Sequence, residues 1–459
     1  MNSLIARSKS VPYKDLFPIT SNRIETLSQQ GLSLIIEDHA KRTYPVVHRC
    51  LKVLVNKFIN VMKNSSSYEE VYIDMNSNKF LDRCLKKRPL VFLGCNDFSV
   101  LKSGQKPTGT YDTIGTKEEK HPLILKNVIS YDEMLFSALV MVSTPTLFIN
   151  NGNRYNCGNL GKNGSFEKEG VYIGCVGPRL EKPGYMEWKH MVITEEQNTS
   201  ENGYGEHADQ DKLQTKILNL WAEFYDLPNK SFFTWDEAKD NFNPKQDRFF
   251  AFNYEPQKLA YFDKVVYKKR MQMILEPFIL DANFRGEEKN KDVFCHFVGL
   301  GMGVWTPDGL PKHVQQDVFV DLVIELIKKH NLTRVVNVDF SWFSNYTGGV
   351  RNEDVVLSKN NTKCKVTFSR RNPADKLTGE NAGKLVVAMY AWDGNAYPGN
   401  EYWIESLDAS GDPAAACCST ISELQNPDIN LNVSGGNVKF YPSTPLPEKI
   451  TLFIDQQIH

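Results

Sequence analysis

The sequence predicts an α/β fold in which a mixed sheet is flanked by helices. Strand-like and helix-like patterns alternate through the second half of the chain, as expected for strands connected through helices. An apolar run from Val386 to Trp392 ends abruptly in Asp393, Gly394 and Asn395, which is typical of a buried strand followed by a binding loop. A second strand-like run, over 293–298, leads into closely spaced glycines.

Length and charge set the limits of the prediction. The chain has 459 residues, which favours two or three domains, and 41% of them are apolar. The formal net charge of -1 provides no basic field for nucleic acid or for an anionic membrane. No stretch approaches the roughly 18 apolar residues of a membrane span, and the first residues lack the apolar core of a secretory signal. We therefore expect neither a nucleic-acid partner nor a membrane.

The nine cysteines are scattered and odd in number. There is no Cys-x-x-Cys motif and no Cys/His cluster with zinc spacing, so we expect no metal, no cofactor and a cytoplasmic location. Cys175, Cys417 and Cys418 are possible nucleophiles in principle, but no histidine and carboxylate are fixed beside them. Buried thiols are the favoured interpretation.

The first half of the chain predicts a helical region followed by mixed elements. Helical periodicity covers 20–63, and Asn64–Ser67 ends it, which gives a helical N-terminal region over 1–65. The remainder, 66–459, is predicted as one α/β domain. Within it, β-like runs lie at 71–74 and 90–93, then come a polar loop over 97–123, a helix at about 131–142 and a strand at 171–176. The polar segment 195–211 is predicted to be a mobile insertion.

The second half settles into strand–loop–helix–strand units. Helices are predicted at 213–225, 256–276, 315–330 and 413–424, and strands at 293–298, 334–340, 364–369 and 384–391, with a late strand pair near 437–454.

The glycines after the 293–298 strand suggest an anion site. Gly299, Gly301 and Gly303 stand at alternate positions, which allows backbone N–H groups to turn toward one phosphate. Val304 occupies the place of the third glycine of the dinucleotide fingerprint, so that motif is not satisfied. A tight glycine turn without a ligand is the alternative.

After the apolar run, Asp393, Glu401, Asp408 and Asp412 lie within about twenty residues of one another. Such a group would suit acid–base chemistry on a glycosidic bond. Asp412 precedes Pro413, which is also typical of a helix N-cap. Solvated loop acids are the alternative for Glu401 and Asp408.

A polar patch in the first half allows two interpretations. The segments Asn150–Asn156 and Glu169–Trp188 contain Arg154 and Arg179, which would suit a phosphate. Turn chemistry explains the same residues without a ligand. His296, inside the second strand, is expected to be a core histidine.

Three of these segments together resemble the MavL-like family over residues 70–440. They are Asn-Gly-Asn-Arg-Tyr at 151–155, Glu-Gly-Val-Tyr-Ile-Gly at 169–174 and Trp-Asp-Gly-Asn at 392–395. That family is similar to macrodomains and poly(ADP-ribose) glycohydrolases. The resemblance implies a macrodomain-like mixed sheet with a helical N-terminal extension and insertions, and an ADP-ribose cleft.

The resemblance also assigns residues. The segment Asn395–Asn400 is similar to the distal-ribose loop of the glycohydrolases, and the segment Gly299–Trp305 resembles the diphosphate loop of macrodomains. The implied ADP-ribose-binding residues are Gly299, Gly301, Met302, Gly303, Val304, Trp305, Gly394, Asn395, Gly399 and Asn400, with Asp339 on the strand that follows the diphosphate loop.

The sequence departs from the macrodomain and glycohydrolase pattern in two ways. The diphosphate loop precedes the ribose loop, which implies a permuted or embellished sheet. The helix after the ribose loop lacks the glutamate pair of glycohydrolases, so the catalytic candidates are Asp393, Asp408 and Asp412.

The predicted function is an ADP-ribosyl hydrolase that removes ADP-ribose from modified protein side chains, with arginine as the expected adduct. Its partners would be ADP-ribose or an ADP-ribosylated protein, and a host protein in the host cytosol if the chain is a secreted effector. A non-catalytic ADP-ribose-binding or partner-docking module is the alternative.

Overall fold

The computed structural model describes residues 1–65, 68–244, 248–408 and 410–443. Its helices are α1 (Asn2–Ser10), α2 (Ile24–Leu27), α3 (Ser33–Lys41), α4 (Leu51–Lys63), α5 (Glu69–Tyr72), α6 (Ser77–Lys86), α7 (Tyr131–Ser137), α8 (Trp188–Met191), α9 (Leu213–Phe224), α10 (Trp235–Asn241), α11 (Lys264–Lys289), α12 (Lys312–Lys329), α13 (Gly411–Cys418) and α14 (Ile421–Leu424). Its strands are β1 (Tyr44–His48), β2 (Val91–Leu93), β3 (Phe98–Val100), β4 (Met141–Leu147), β5 (Glu169–Cys175), β6 (Val192–Thr194), β7 (Phe249–Glu255), β8 (Lys258–Asp263), β9 (Val293–Phe297), β10 (Val335–Ser341), β11 (Val355–Leu357), β12 (Lys363–Ser369), β13 (Leu385–Ala391) and β14 (Lys439–Tyr441).

A large mixed sheet forms the centre of the molecule. In the described part of the chain it has nine strands, in the order β11-β12-β10-β9-β13-β5-β4-β1-β14. The five strands β12, β10, β9, β13 and β5 are mutually parallel, whereas β11 and β4 run antiparallel to their neighbours β12 and β5. The predicted α/β class with a mixed sheet flanked by helices is confirmed. The macrodomain-like arrangement stays a prediction.

Apolar residues explain why β9 and β13 lie at the centre of this sheet. The interior of β13 reads Val-Val-Ala-Met-Tyr and is buried throughout, as are all five residues of β9. A continuous apolar run without alternation is typical of a parallel strand covered on both faces.

Helices cover both faces of the sheet. On one face, α11 lies against β1, β9, β10 and β14, and α12 packs on α11. Phe278 of α11 contacts Phe297 of β9, with 4.9 Å between ring centroids. On the other face, α13 and α14 pack on β13 and β4, and the Cys418 thiol lies 3.4 Å from the Tyr172 hydroxyl of β5.

The connections open a crevice between β9 and β13. From β9 the chain passes through α12 to β10 on one side of β9. After β13 it passes through α13 and α14 to β14 at the opposite end of the sheet. Such a reversal of direction leaves a space at the carboxyl ends of the two strands, where ligands bind in open α/β sheets.

Two smaller sheets accompany the large one. β2 and β3 form an antiparallel pair, and β6, β8 and β7 form an antiparallel three-stranded sheet. No helix among the described residues is long and apolar enough to cross a membrane.

Several predicted elements were wrong in type or extent. The β-like run 71–74 belongs to the helical turn α5 and the residues after it, where the Tyr72 side chain is buried and donates to Glu133 at 2.6 Å. The helix predicted at 256–276 begins only at Lys264, because β8 precedes it. The helix predicted at 131–142 ends at Ser137, and β4 starts at Met141.

The N-terminal region contains more than helices. Residues 44–48, inside the predicted helical stretch, form β1, which lies between β4 and β14 in the large sheet. Of the late strand pair predicted near 437–454, β14 is present, and residues 444–454 lie outside the described residues. In the segment 195–211, Asn198 and Tyr204 are buried. Its mobility and the division at residue 65 stay predictions.

Candidate active site

A cavity of about 710 Å³ opens at the carboxyl edge of the five parallel strands. The segments that follow all five strands line it. The lining residues are Gly177, Arg179 and Glu181 after β5, Trp392 and Asp393 after β13, Gly299, Gly301, Gly303, Val304 and Trp305 after β9, Trp342 after β10, and Asn372 and Pro373 after β12. At about 4.8 Å between neighbouring strands, the cavity spans about 19 Å across the sheet, which suits an elongated ligand.

The glycine loop after β9 packs closely against the segment after β5. A Cβ on Gly301 would lie 2.6 Å from the Pro178 carbonyl oxygen, and the φ of Gly301 is +68°. A Cβ on Gly177 would lie 2.2 Å from the Leu300 carbonyl carbon. Only glycine allows this approach. The backbone N–H groups from Gly299 to Trp305 donate to no described residue, so those that border the cavity could donate to a ligand.

Arg179 forms the buried positive centre of the cavity. Its Nη1 donates to Asp393 Oδ1 at 2.5 Å, and its Nη2 donates to Glu181 Oε1 at 2.8 Å. The guanidinium carbon lies 4.2 Å from the centre of the Trp305 ring. Burial alone lowers the pKa of Arg179, but the charges of Asp393 and Glu181 outweigh it and raise the pKa above its ordinary value.

Asp393 is a buried acid with an unusual ionisation. Its side chain also accepts from the Asn400 amide. Burial raises the pKa of Asp393 to about 7, although the neighbouring Arg179 cation lowers it. The charge of Glu401 raises it further. A carboxyl with a pKa near neutrality is suited to exchange protons at physiological pH.

Asp412 holds the loop between β13 and α13. Its two carboxylate oxygens accept the backbone N–H groups of Gly399 and Asn400, both at 2.7 Å. The predicted N-cap role is wrong, because Ser410 is the residue before the helix and Asp412 lies in its first turn. The predicted helix 413–424 accordingly begins earlier and is interrupted after Cys418. Burial and the charge of Glu401 raise the pKa of Asp412 well above its ordinary value.

Glu401 completes a group of acids. It begins a short 3-10 helix, lines the cavity, and contacts the Ser410 hydroxyl at 3.4 Å through both oxygens. Burial raises the pKa of Glu401. The charge of Glu401 raises the pKa of both Asp393 and Asp412, and the charge of Asp393 raises that of Asp412 further. A cationic ligand would relieve this repulsion.

The structure places the predicted site residues in two groups. Seven line the cavity: Gly299, Gly301, Gly303, Val304, Trp305, Asp393 and Asp412. The others are absent from its lining. Asp408 is exposed on the surface, whereas Met302, Asn395, Asn400 and Asp339 are buried. A Cβ on Gly394 would meet Val176, and one on Gly399 would meet Ala416. The roles predicted for all these residues stay predictions.

The cavity also contains five residues to which the sequence assigns no definite ligand role: Arg154, Arg179, Glu181, Glu401 and His296. From the sequence, the two arginines fit a ligand role or a turn role equally, Glu401 fits a solvated acid, and His296 fits a core residue. Arg179 and His296 lie shortly after or within a parallel strand, but Glu401 follows β13 by ten residues. Only the order of the strands and the path of the loops show that these residues converge.

Three buried polar atoms in the cavity wall have no hydrogen-bond partner among the described residues: Trp392 Nε1, Glu181 Oε2 and His296 Nε2. Buried polar groups are nearly always paired, so a polar ligand that reached these atoms would satisfy them. Within residues 1–65, 68–244, 248–408 and 410–443, no group of three or more His, Cys, Asp or Glu side chains is arranged to hold a metal ion.

Comparison with known proteins identifies the family. The family described as ADP-ribosylhydrolase MavL-like matches residues 2–444. The chain belongs to this family. The predicted resemblance to MavL-like proteins is therefore confirmed, and it extends over nearly the whole chain, including the N-terminal region.

Two relatives of this MavL-like chain come from Drosophila melanogaster, and both are named ADP-ribosylarginine hydrolases. One is 34% identical over 450 residues, which cover 95% of this chain and 86% of the relative. The other is 35% identical over 431 residues, which cover 92% of this chain and 82% of the relative. The prediction that this protein is a hydrolase acting on ADP-ribosyl groups is therefore confirmed.

Proposed function

We propose that this protein removes ADP-ribose from arginine side chains of modified proteins, and that the cavity beside Asp393 is where it does so. The observation that carries the proposal is the buried acid cluster of Asp393, Glu401 and Asp412. A guanidinium is a planar cation that pairs with carboxylates through two parallel hydrogen bonds. The names of the two relatives favour the same adduct.

The wall of the cavity suits the rest of the ligand. In the proposed pose, the free N–H groups of the Gly299–Trp305 loop hold the diphosphate, and Arg179 lies between this loop and the acids. The segment Gly394–Asn400 shapes the distal ribose pocket from behind, because Asp412 and Asn400 fix its backbone.

The proposed reaction is hydrolysis at C1″ of the distal ribose. The bond between C1″ and the guanidine nitrogen breaks, and its electron pair leaves on nitrogen. A water oxygen bonds to C1″, and its proton passes to a carboxylate and then to the departing guanidine, which becomes guanidinium again. We assign proton transfer to Asp393, because its pKa of about 7 suits both directions. We assign the guanidinium contact to Glu401, which lies beside it and whose oxygens make only long contacts with Ser410.

The direct test measures release of free ADP-ribose from peptides modified on arginine, serine or glutamate. We expect release from arginine alone. Asp393→Asn should lower kcat at least about 100-fold, and Glu401→Gln should raise KM and lower kcat for the arginine adduct. Glu405→Gln, an exposed acid in the same segment, is the matched control and should behave like the wild type. Release from serine with none from arginine would overturn the proposal.

The cytoplasmic location, the effector role and a host protein partner stay predictions.

A further inference from the structure

His296 is a buried histidine in the wall of the cavity, and one of its ring nitrogens is unpaired among the described residues. Its side chain is 1% exposed and lines the cavity, and its Nε2 has no partner among the described residues. The proposed reaction does not use it. A fully buried imidazole nitrogen without a hydrogen bond is costly unless a ligand supplies one.

The sheet register explains where His296 points. Tyr172, Ala388, His296, Asp339 and Thr367 are successive partners across β5, β13, β9, β10 and β12. Residues that face each other in register project from the same face of a sheet, so this row points toward the face that α13 covers.

Hydrogen bonds behind the ring fix its orientation. His296 Nδ1 lies 3.4 Å from Ser341 Oγ and 3.6 Å from Asp339 Oδ2. Ser341 donates its hydroxyl hydrogen to Asp339 at 2.6 Å, and Thr367 and Ser369 donate to the same carboxylate at 2.7 and 2.9 Å. Ser341 Oγ is thus left to accept from Nδ1–H.

This arrangement leaves Nε2 as an acceptor. Burial lowers the pKa of His296, although the neighbouring Asp339 raises it. Burial alone raises the pKa of Asp339, but His296 and the surrounding hydroxyl groups outweigh it and lower the pKa. A neutral ring with its proton on Nδ1 and a charged carboxylate behind it keeps a lone pair on Nε2.

His296 lies far from the proposed reacting bond. Asp393 follows Ala388, the strand partner of His296, by five residues, which corresponds to about 16 Å along the sheet. The glycine loop that would hold the diphosphate starts three residues after His296. A ligand whose distal ribose is at Asp393 and whose diphosphate is at this loop has its adenosine half left for His296.

We propose that His296 Nε2 accepts a hydrogen bond from the adenosine half of the ligand, either from the amino group of adenine or from a hydroxyl of its ribose, and that Asp339 is a positioning residue that acts through His296. The inference rests on the proposed function, because it takes ADP-ribose as the ligand of the cavity. It also gives Asp339 a different role from direct contact with ADP-ribose.

Calorimetry with ADP-ribose on the full chain tests the contact. We expect His296→Phe to weaken binding about 5- to 10-fold, because one hydrogen bond to a buried acceptor is lost. His190→Phe is the matched control: His190 is also buried, stacks on Phe232 at 4.9 Å and does not line the cavity. Equal affinity of the wild type and His296→Phe would overturn the inference.

Ligand analogues identify the donor. Inosine diphosphate ribose lacks the adenine amino group, and the 2′-deoxy and 3′-deoxy analogues of ADP-ribose each lack one hydroxyl of the adenosine ribose. The analogue that lacks the donor should bind the wild type about as weakly as His296→Phe binds ADP-ribose, and the variant should no longer distinguish it from ADP-ribose. If the variant keeps full discrimination against all three analogues, the contact does not exist.

The positioning role of Asp339 has its own measurement. Asp339→Asn would place an amide near Nδ1 and favour the proton on Nε2, which turns the acceptor into a donor. Nitrogen NMR of ¹⁵N-histidine-labelled protein, with the His296 signal assigned through His296→Phe, should show the change of tautomer together with weaker ADP-ribose binding. An unchanged tautomer with normal affinity would remove Asp339 from this role.

The two proposals fail in different ways. If the wild type neither binds ADP-ribose nor releases it from arginine, the proposed function is wrong. If the wild type binds and hydrolyses but His296→Phe does both equally well, the proposed function stands and the inference about His296 fails.

Discussion

At the scale of single residues, the site depends on one buried cation among several acids. Arg179 is 1% exposed and pairs with both Asp393 and Glu181, and it stacks on Trp305. Pairing with hydrogen bonds is what makes a buried charge tolerable. Burial raises the pKa values of Asp393, Glu401 and Asp412, and the charge of Glu401 raises those of Asp393 and Asp412 further.

The ionisation of Asp393 should appear in the stability of the protein. Its pKa is about 7 when folded, above the ordinary value of 3.8. The folded state therefore holds this proton more tightly than the unfolded state, and the stabilisation is lost as pH rises through 7. We expect the free energy of unfolding of the wild type, relative to Asp393→Asn, to fall by about 2–3 kcal/mol between pH 5 and pH 8.

Urea unfolding of both proteins at the two pH values measures this difference, and titrating groups that do not interact with Asp393 cancel in the comparison. A difference that stays constant with pH, or grows toward pH 8, would show that Asp393 is ionised throughout this range.

At the scale of elements, two loops contact each other and together form part of the cavity wall. The glycine loop after β9 and the Gly177–Glu181 segment after β5 approach each other at Gly301 and Gly177. The strands β9 and β5 are separated by β13, so the two loops meet above the end of β13, beside Asp393. Glycine is required at the contact for space and, at Gly301, for a positive φ.

Two glycine variants distinguish the effect of the Gly301–Pro178 contact from the effect of any alanine in the same loop. Gly301→Ala should lower the free energy of unfolding by about 1–3 kcal/mol and weaken ADP-ribose binding, because its Cβ would collide with the Pro178 carbonyl. Gly303→Ala, in the same loop, would meet nothing within 4 Å and should change stability little.

Chemical unfolding and calorimetry on the two variants check this expectation. Equal effects of Gly301→Ala and Gly303→Ala would mean that the contact with Pro178 does not hold the loop in place.

At the scale of the whole molecule, the N-terminal region is part of the central sheet. β1 lies between β4 and β14, and its five residues are buried. Removing residues 1–65 would uncover the edges of β4 and β14 and the apolar surface of α11 that β1 contacts. Exposed strand edges and apolar faces promote aggregation.

We expect a chain that begins at residue 66 to lack a cooperative unfolding transition and to lose hydrolase activity. Circular dichroism during thermal unfolding and size-exclusion chromatography provide the measurement. In the full chain, Val46→Asp in β1 should have a similar effect, because Val46 is fully buried, whereas Leu34→Asp on the exposed side of α3 should not.

A stable and active chain from residue 66 would instead support the division at residue 65 that the sequence predicts.

Local sequence patterns predicted those strands and helices whose conformation depends mainly on their own residues. The strands β5, β9, β10, β12 and β13 were recognisable because continuous apolar runs fit parallel strands covered on both faces. Short or half-polar segments failed: the Val71–Asp74 run has β-forming residues, but packing places its first residues in a helical turn. β1 was missed because Val46 and Val47 also fit the apolar spacing of the helical pattern that continues to Met62.

The sequence by itself determined the α/β class, the parallel core strands, the polar loops that end them and the pattern by which the family is recognised. These depend on hydrophobic periodicity and on glycine and proline, which act over a few residues. Only the tertiary structure decided that Arg179, Glu181, Glu401 and His296 share one cavity with Asp393, that Asp408 lies outside it, and that Asp412 ties a loop rather than capping a helix. The physical reason is that the order of strands in the sheet, which brings distant segments together, is set by packing across the whole chain.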